Sequence, residues 1–181
     1  LRQIGVGMNI YALDNRDRVL ETRNNSVQVA INPPEATNIA SVGLIATGGT
    51  NNPSSIWNCP GRPPRYPIYE AAFNQFVIGY QYFGGITNWV NPVGSFRGYS
   101  PVKLSTSKSS WVLAADLVLR AGSNPWGVFT DPRDADIFVG SPAHHAGRSA
   151  NPAGANHLYV DGSTAWVRAD RLRFLHSWAA D

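Results

Sequence analysis

The chain has 181 residues, long enough for one domain with its own core, and its net charge of +3 comes without any run of Lys or Arg, which excludes the clustered-cation footprint of a nucleic-acid binder. Charged residues make up only 15% while Gly (17) and Pro (13) are abundant, which excludes a helical bundle and favours short strands joined by much loop. A single cysteine, Cys59, excludes an internal disulfide or a Cys-based zinc knuckle, and no apolar run reaches the roughly 18 residues needed to span a bilayer.

The opening residues 1–13 predict a helix, because Leu1, Ile4, Met8 and Tyr11 fall on one face and Ile10 and Leu13 widen that stripe. Nothing caps its start, so it reads as a helix already under way whose earlier part lies upstream. Gly5 and Gly7 weaken it by up to about 1 kcal/mol each relative to Ala, and it needs tertiary packing to persist. The run Asp14-Asn15-Arg16-Asp17 predicts its end. A strand is expected over Ser26 to Ile31, then a helix from Asn32, with Pro33 in its first turn and Glu35 three residues after the cap, to about Thr47 before Gly48-Gly49.

Residues 48–70 predict loop, with one extended piece at Ser55 to Cys59. Asn74 to Phe83 predicts a strand on the alternation of Phe76, Ile78, Tyr80 and Tyr82. Gly84 to Pro101 reads as a long irregular excursion and Trp111 to Leu119 as the most apolar strand. Arg120 to Asn156 reads as a long loop, extended only at Trp126 to Phe129 and Ile137 to Val139. His157 to Val160 and Ser163 to Val167 predict a hairpin about Asp161-Gly162, a pair suited to a two-residue turn. The sum is an α+β fold: one helix laid on a mostly antiparallel sheet with long loops.

Several segments together carry a resemblance. Leu1-Arg2-Gln3-Ile4-Gly5 with Asn9-Ile10-Tyr11, then Trp57-Asn58-Cys59-Pro60, Gly79-Tyr80-Gln81-Tyr82, the apolar strand Val112 to Asp116, and His145 followed by Asn156-His157-Leu158-Tyr159-Val160-Asp161-Gly162 occur in that order. The chain resembles the pilin-like pseudopilins of type II secretion, in the prepilin-type cleavage and methylation group of planctomycetes and verrucomicrobia that ends in a His, a spacer and Asp-Gly. The spacer is longer here, and either His144 or His145 matches the family histidine.

The resemblance implies that residues 1–17 are the C-terminal part of an inner-membrane helix and 18–181 a single globular domain facing the periplasm or cell surface. It implies a structural subunit, not an enzyme, that stacks in a filament with copies of itself and other pseudopilins. Leu1, Ile4, Met8 and Tyr11 are the face of the assembly helix that packs on the sheet, and the opposite face with Val6 is open to neighbours. The alternative is a periplasmic or surface module that holds a glycan or peptide through loop aromatics, with Trp89 and Tyr99 as candidates.

Two groups of residues could hold a metal. Asp131, Asp134 and Asp136 place carboxylates within one short loop, a suitable oxygen set for calcium, which the major pseudopilins hold in a C-terminal loop. Asp116, His145 and Asp161 could converge on an ion that takes imidazole and carboxylate. Against these stand a solvated polar loop for the first group and a turn residue for Asp161. For catalysis, Cys59 could pair with His144 or His145, with Ser141 or Ser149 nearby in sequence, but no nucleophile elbow, phosphate loop or dinucleotide fingerprint occurs. No cofactor other than calcium is expected.

Overall fold

The computed structural model describes residues 1–23, 28–33, 55–62, 66–91, 94–141, 144–146 and 151–172. Its elements run α1 (Arg2–Asp14), β1 (Ala30–Ile31), β2 (Ile68–Glu70), β3 (Gln75–Val77), β4 (Tyr80–Tyr82), β5 (Asn88–Asn91), β6 (Gly94–Arg97), β7 (Val112–Asp116), α2 (Pro132–Ile137), β8 (Gly154–Tyr159) and β9 (Thr164–Arg168). The main sheet has the order β4-β7-β8-β9, beside a three-stranded sheet β1-β3-β2 and the hairpin β5-β6, and every pairing is antiparallel. The fold is mixed α+β.

The helix forms as its apolar spacing requires. Ile4, Met8 and Tyr11 are buried and share a core cluster with Tyr82, Leu113, Ala114 and Leu158, while Leu1 packs at its margin. Gly5 and Gly7 face inward as well. At Gly5 an added Cβ would lie 3.3 Å from Leu158 Cδ1, so the glycine that weakens the isolated helix is what lets α1 lie close on β8. Ile10 and Leu13 do not widen the buried stripe. They are exposed, because the sheet covers only the face carrying Ile4, Met8 and Tyr11.

The helix stops where expected. Arg16 takes a left-handed φ of 55° and Asp17 N–H donates back to Ala12 O at 2.8 Å, the six-to-one bond of a Schellman stop with Arg where Gly is usual. Asp17 then accepts from Ser105 N at 3.1 Å and from its hydroxyl, which ties the exit of α1 to the 3-10 turn Leu104–Thr106.

Apolar β7 is central, with β4 and β8 on either side, and a register shift between Val112 and Ala114 marks a bulge. Leu113 and Ala114 therefore both join the cluster under α1. Val112 and Ala115 pack the other face, against Phe83, Ile86 and Trp89. A third cluster, of Val29, Tyr66, Val77, Leu117, Ile137 and Phe138, lies beneath the smaller sheet and α2.

The structure departs from expectation at several elements. The single strand over Asn74 to Phe83 is two strands in two sheets, switching at Ile78-Gly79. Gly79 presses against the turn at residues 57–59: its N–H donates to Trp57 O at 2.9 Å, and an added Cβ would collide with that oxygen and approach Tyr66 Cδ2 to 3.1 Å. The excursion after Gly84 contains the β5-β6 hairpin. Ser55 to Cys59 is turn, not extended. Of the strand over Ser26 to Ile31, the described part is a turn at Gln28-Val29 and then β1, and residues 24–27 lie outside the described residues. The helix expected from Asn32 lies outside them from residue 34 onward.

Ile137 is the end of a helix, since Asp131 caps α2 by accepting from Arg133 N at 2.8 Å and Pro132 suits its first turn. Trp126 and Gly127 form a turn, and Val128 and Phe129 carry no regular structure. The β8-β9 hairpin is present, but only Gly162 has positive φ, at 80°. Gly162 N donates to Tyr159 O at 3.0 Å and Tyr159 N to Ser163 O at 2.9 Å, so the connection is a three-residue loop closed by glycine.

Gly84 sets one of the tightest constraints. An added Cβ would strike both Leu20 O and the Tyr82 hydroxyl, and that hydroxyl donates to Leu20 O at 2.9 Å inside the core. Gly79→Ala and Gly84→Ala should each destabilise the fold by about 2–4 kcal/mol, while Ser95→Ala on exposed β6 should stay within about 0.5 kcal/mol. Urea unfolding midpoints at constant slope check this.

Candidate functional site

The main gathering of polar side chains surrounds Asp116, the last residue of β7, which is only 3% exposed. Register places it opposite Tyr80 of β4, with Asn156 of β8 on its other side. Its Oδ2 accepts from Asn156 N and Asn156 Nδ2, each at 2.8 Å, and meets His144 Nε2 at 2.8 Å. Nε2 is therefore the protonated nitrogen that donates to the carboxylate, and the 3.3 Å approach of Asn156 Nδ2 to it is a packing contact. The His144 ring meets Trp166 of β9 edge-on at 5.1 Å.

On the other side of the carboxylate, Cys59 Sγ lies 3.9 Å from Asp116 Oδ1. Burial pushes the Cys59 thiol up and the Asp116 charge adds to this, against the opposing pull of the Gly61 backbone and Arg62. Tyr80 donates to Asn58 O at 3.2 Å, and burial holds its phenol well above the ordinary range. Leu1, Arg2, Tyr80, Asp116, His144 and Asn156 contribute to an open concavity of about 360 Å³ beside the cluster.

Two conclusions follow for chemistry. A thiol pushed upward is a poor nucleophile at neutral pH, so Cys59 here is not an activated cysteine. The Asp116 carboxylate is committed to donors from residues 144 and 156, so it clamps chain segments together. Ser141, the other nucleophile considered, is buried and its hydroxyl accepts from Leu119 N at 3.2 Å. Ser149 lies outside the described residues.

A second clamp lies close by. Arg62 is almost fully buried: its Nε and Nη2 donate to Val139 O at 3.1 and 2.9 Å, Nη1 donates to Gly79 O at 3.3 Å, and its plane covers the Tyr66 ring at 4.4 Å. The guanidinium fork ties the turn after Cys59-Pro60 to the segment after α2.

The expected metal sets are not assembled. His144, not His145, reaches Asp116. His145 is exposed and joins Pro152 by a backbone bridge, because adjacent residues point opposite ways. Asp161 accepts from Ser163 N at 2.9 Å and Ser163 Oγ at 2.6 Å within its own turn. Asp131 caps α2 and Asp134 pairs with Arg133 at 2.7 Å, so these two carboxylates are engaged within the helix and its start. Among the described residues no group of three or more His, Cys, Asp or Glu is placed to hold a metal. Of the two aromatics, Trp89 is 3% exposed and packs on Phe83 at 6.0 Å, so its ring faces are spent in the core, while Tyr99 is 68% exposed. Sequence reasoning missed Arg62 and the role of Asn156. The latter was open to detection as the first residue of the Asn156 to Gly162 run that ends in Asp-Gly.

No family model, curated protein or solved structure matches this chain.

Replacing Asp116 by Ala orphans the partly buried donors of Asn156 and should cost on the order of 3 kcal/mol, whereas His144→Ala, at a half-exposed position, should cost less. Urea denaturation separates the two. His157, half-buried on β8, has its pKa held below 6.5 because burial disfavours the imidazolium, with the Asp116 charge opposing. The unfolded chain therefore takes up the proton first, and stability falls as pH drops through 6.5 toward the lower folded value. His157→Gln should flatten that part of the profile, measured as unfolding midpoints at about pH 7.5 and about pH 5.5.

Proposed function

We propose that this chain is a structural assembly subunit of the pilin-like kind. In this reading α1 is the C-terminal end of a longer rod anchored in the bacterial inner membrane, and the sheet body faces the periplasm. The observation that carries it is the outward stripe of the helix. Val6, Ile10 and Leu13 are 61%, 47% and 85% exposed and fall at i, i+4 and i+7, on a helix whose other face is already buried in the core. Ridges of that spacing pack into the grooves of another helix, and burying each such side chain is worth roughly 1.5–3 kcal/mol.

Copies of this chain and related pseudopilins supply that second helix. Function then resides in packing: helix on helix inside a filament, with the sheet body held at its surface. The state of Cys59 and the full engagement of Asp116 support a scaffold over a nucleophilic enzyme.

The test uses the chain with its native upstream sequence, expressed in its host. Ile10→Glu and Leu13→Glu should each abolish filament assembly, followed by electron microscopy and cysteine cross-linking, while the melting temperature of the domain stays within about 2 °C. Continued assembly of both variants, or an upstream sequence that encodes a polar folded domain in place of about 20 apolar residues, sinks the reading.

A further inference from the structure

We propose that β9 is a pairing edge for a second copy of this chain, joined strand to strand across a two-fold axis at Trp166, a contact separate from the assembly stripe on α1. β9 ends the main sheet, and its bonds to β8 fix which of its backbone groups point away. Tyr159 N donates to Ser163 O at 2.9 Å and Ala169 N to Ala153 O at 3.1 Å, so Ser163, Ala165, Val167 and Ala169, at alternate positions of the antiparallel ladder, turn their backbone groups to β8. The N–H and C=O groups of Thr164, Trp166 and Arg168 therefore point outward, and none has a backbone partner among the described residues.

The fold treats the two edges of this sheet differently. At β4 it closes the edge itself: Tyr82 N donates outward to Gln28 O at 2.7 Å, and Gly79, just before the strand, donates to Trp57 O at 2.9 Å. β9 is left bare. Its register runs unbroken from Leu158↔Thr164 to Gly154↔Arg168, and it holds no Pro, Lys or bulge, the devices that blunt an edge. Its one charge, Arg168, sits at the end of the strand and pairs with Asp170 at 3.2 Å. The Trp166 ring leans back over β8, where it meets His144 edge-on at 5.1 Å and where an added Cβ on Gly154 would lie 2.7 Å from its Cζ2. α1 rests on β7 and β8 through Leu113, Ala114 and Leu158, and Thr164, Ala165, Trp166 and Arg168 are exposed.

The edge itself selects the occupant. An open backbone ladder takes an extended chain, and a foreign peptide is then chosen through pockets for its alternate side chains. Both faces of β9, at Ala165 and at Trp166, stand exposed and give such a peptide little to be selected by. A second β9 fits. With the strands antiparallel and Trp166 opposite Trp166, Thr164 faces Arg168 of the second copy, every outward group of the strand is paired, and no like charges meet. Slipping by two residues leaves outward groups unpaired. The same register brings the turn at Asp161 in line with Arg171 of the second copy, so opposite charges approach at both ends. A strand of five residues buries less than the roughly 1,200 Å² of a stable dimer, so the pair forms where copies are concentrated. The two-fold reverses one copy against the other, which links bodies side by side and does not stack like-oriented helices.

Sedimentation equilibrium of the chain from about 10 µM to about 1 mM should show monomer giving way to dimer. Hydrogen exchange read by NMR should slow with concentration at Thr164, Trp166 and Arg168, while the amides of Ala165 and Val167, bonded to β8, are protected throughout. Arg168→Pro removes an outward N–H at a φ of −65°, which proline adopts, so the unfolding midpoint should hold while dimerisation weakens by about tenfold or more. Trp166→Lys and Trp166→Glu should each stay monomeric, and their equimolar mixture should pair, because position 166 meets itself. Ile10→Glu should leave the dimer intact. A chain that stays monomeric, which leaves the edge to a different protein, overturns the proposal. So does protection of the outward amides that ignores concentration, which marks cover by the same chain. A dimer unaffected by Arg168→Pro, one abolished by Ile10→Glu, or a mixture of folded Trp166 variants that fails to pair overturns it as well. Filament assembly through α1 is read separately, from Ile10→Glu and Leu13→Glu.

Discussion

A carboxylate taken out of water must find its donors inside the fold or forfeit several kcal/mol, and Asp116 finds them in segments far apart in sequence. Asn156 gives two donors from β8 and His144 gives a third from a separate stretch, while the thiol of Cys59 lies against the other oxygen. Because Asp116 ends the central strand, satisfying it fixes three things together: where β8 starts, how residues 144–146 lie over the sheet, and where the Cys59 turn sits. Arg62 performs the complementary task with a buried cation and carbonyl acceptors. Two charges of opposite sign thus hold the loops that Gly and Pro leave conformationally undetermined.

The helix depends on the same sheet from above. Tyr82 links the two layers, since its hydroxyl reaches Leu20 O and Met8 Sδ while its ring meets Trp57 edge-on at 5.6 Å. Glycine is required at Gly84, where an added Cβ would strike Leu20 O, while at Gly5 it eases a 3.3 Å approach to Leu158. With the inner face of α1 spent on the core, the outer face carries an apolar stripe that the domain itself leaves to solvent. The sheet body sets which helical face is available, and the proposed assembly follows from what remains.

Features with strong local signatures were legible. The apolar period of α1, its stop near Asn15, the apolar β7 and the β8-β9 hairpin each follow from side chains within one turn or one strand. Features that rest on distant partners were not. Phe76 to Tyr82 alternates as a single strand should, yet Gly79 meets the turn at residues 57–59 and the chain changes sheets there. Asp131, Asp134 and Asp136 read as one loop of carboxylates, but the cap and Pro132 start a helix in which Asp131 holds backbone N–H groups and Asp134 pairs with Arg133. Trp89 and Tyr99 looked alike as loop aromatics. Only packing separates a ring buried on Phe83 from one left in solvent.

By itself the sequence determined the class of fold, the buried face of α1, the placing of its strongest strands and the absence of any motif for phosphate or dinucleotide binding, because periodicity, turn chemistry and spacing are local properties. Tertiary structure alone decided that His144 and not His145 reaches Asp116, that Arg62 is buried among carbonyls, that Ile10 and Leu13 stay exposed, and that β9 lies at an edge of the main sheet. Those outcomes depend on which segments close long loops onto one another, and the donors and acceptors that settle it are dozens of residues apart.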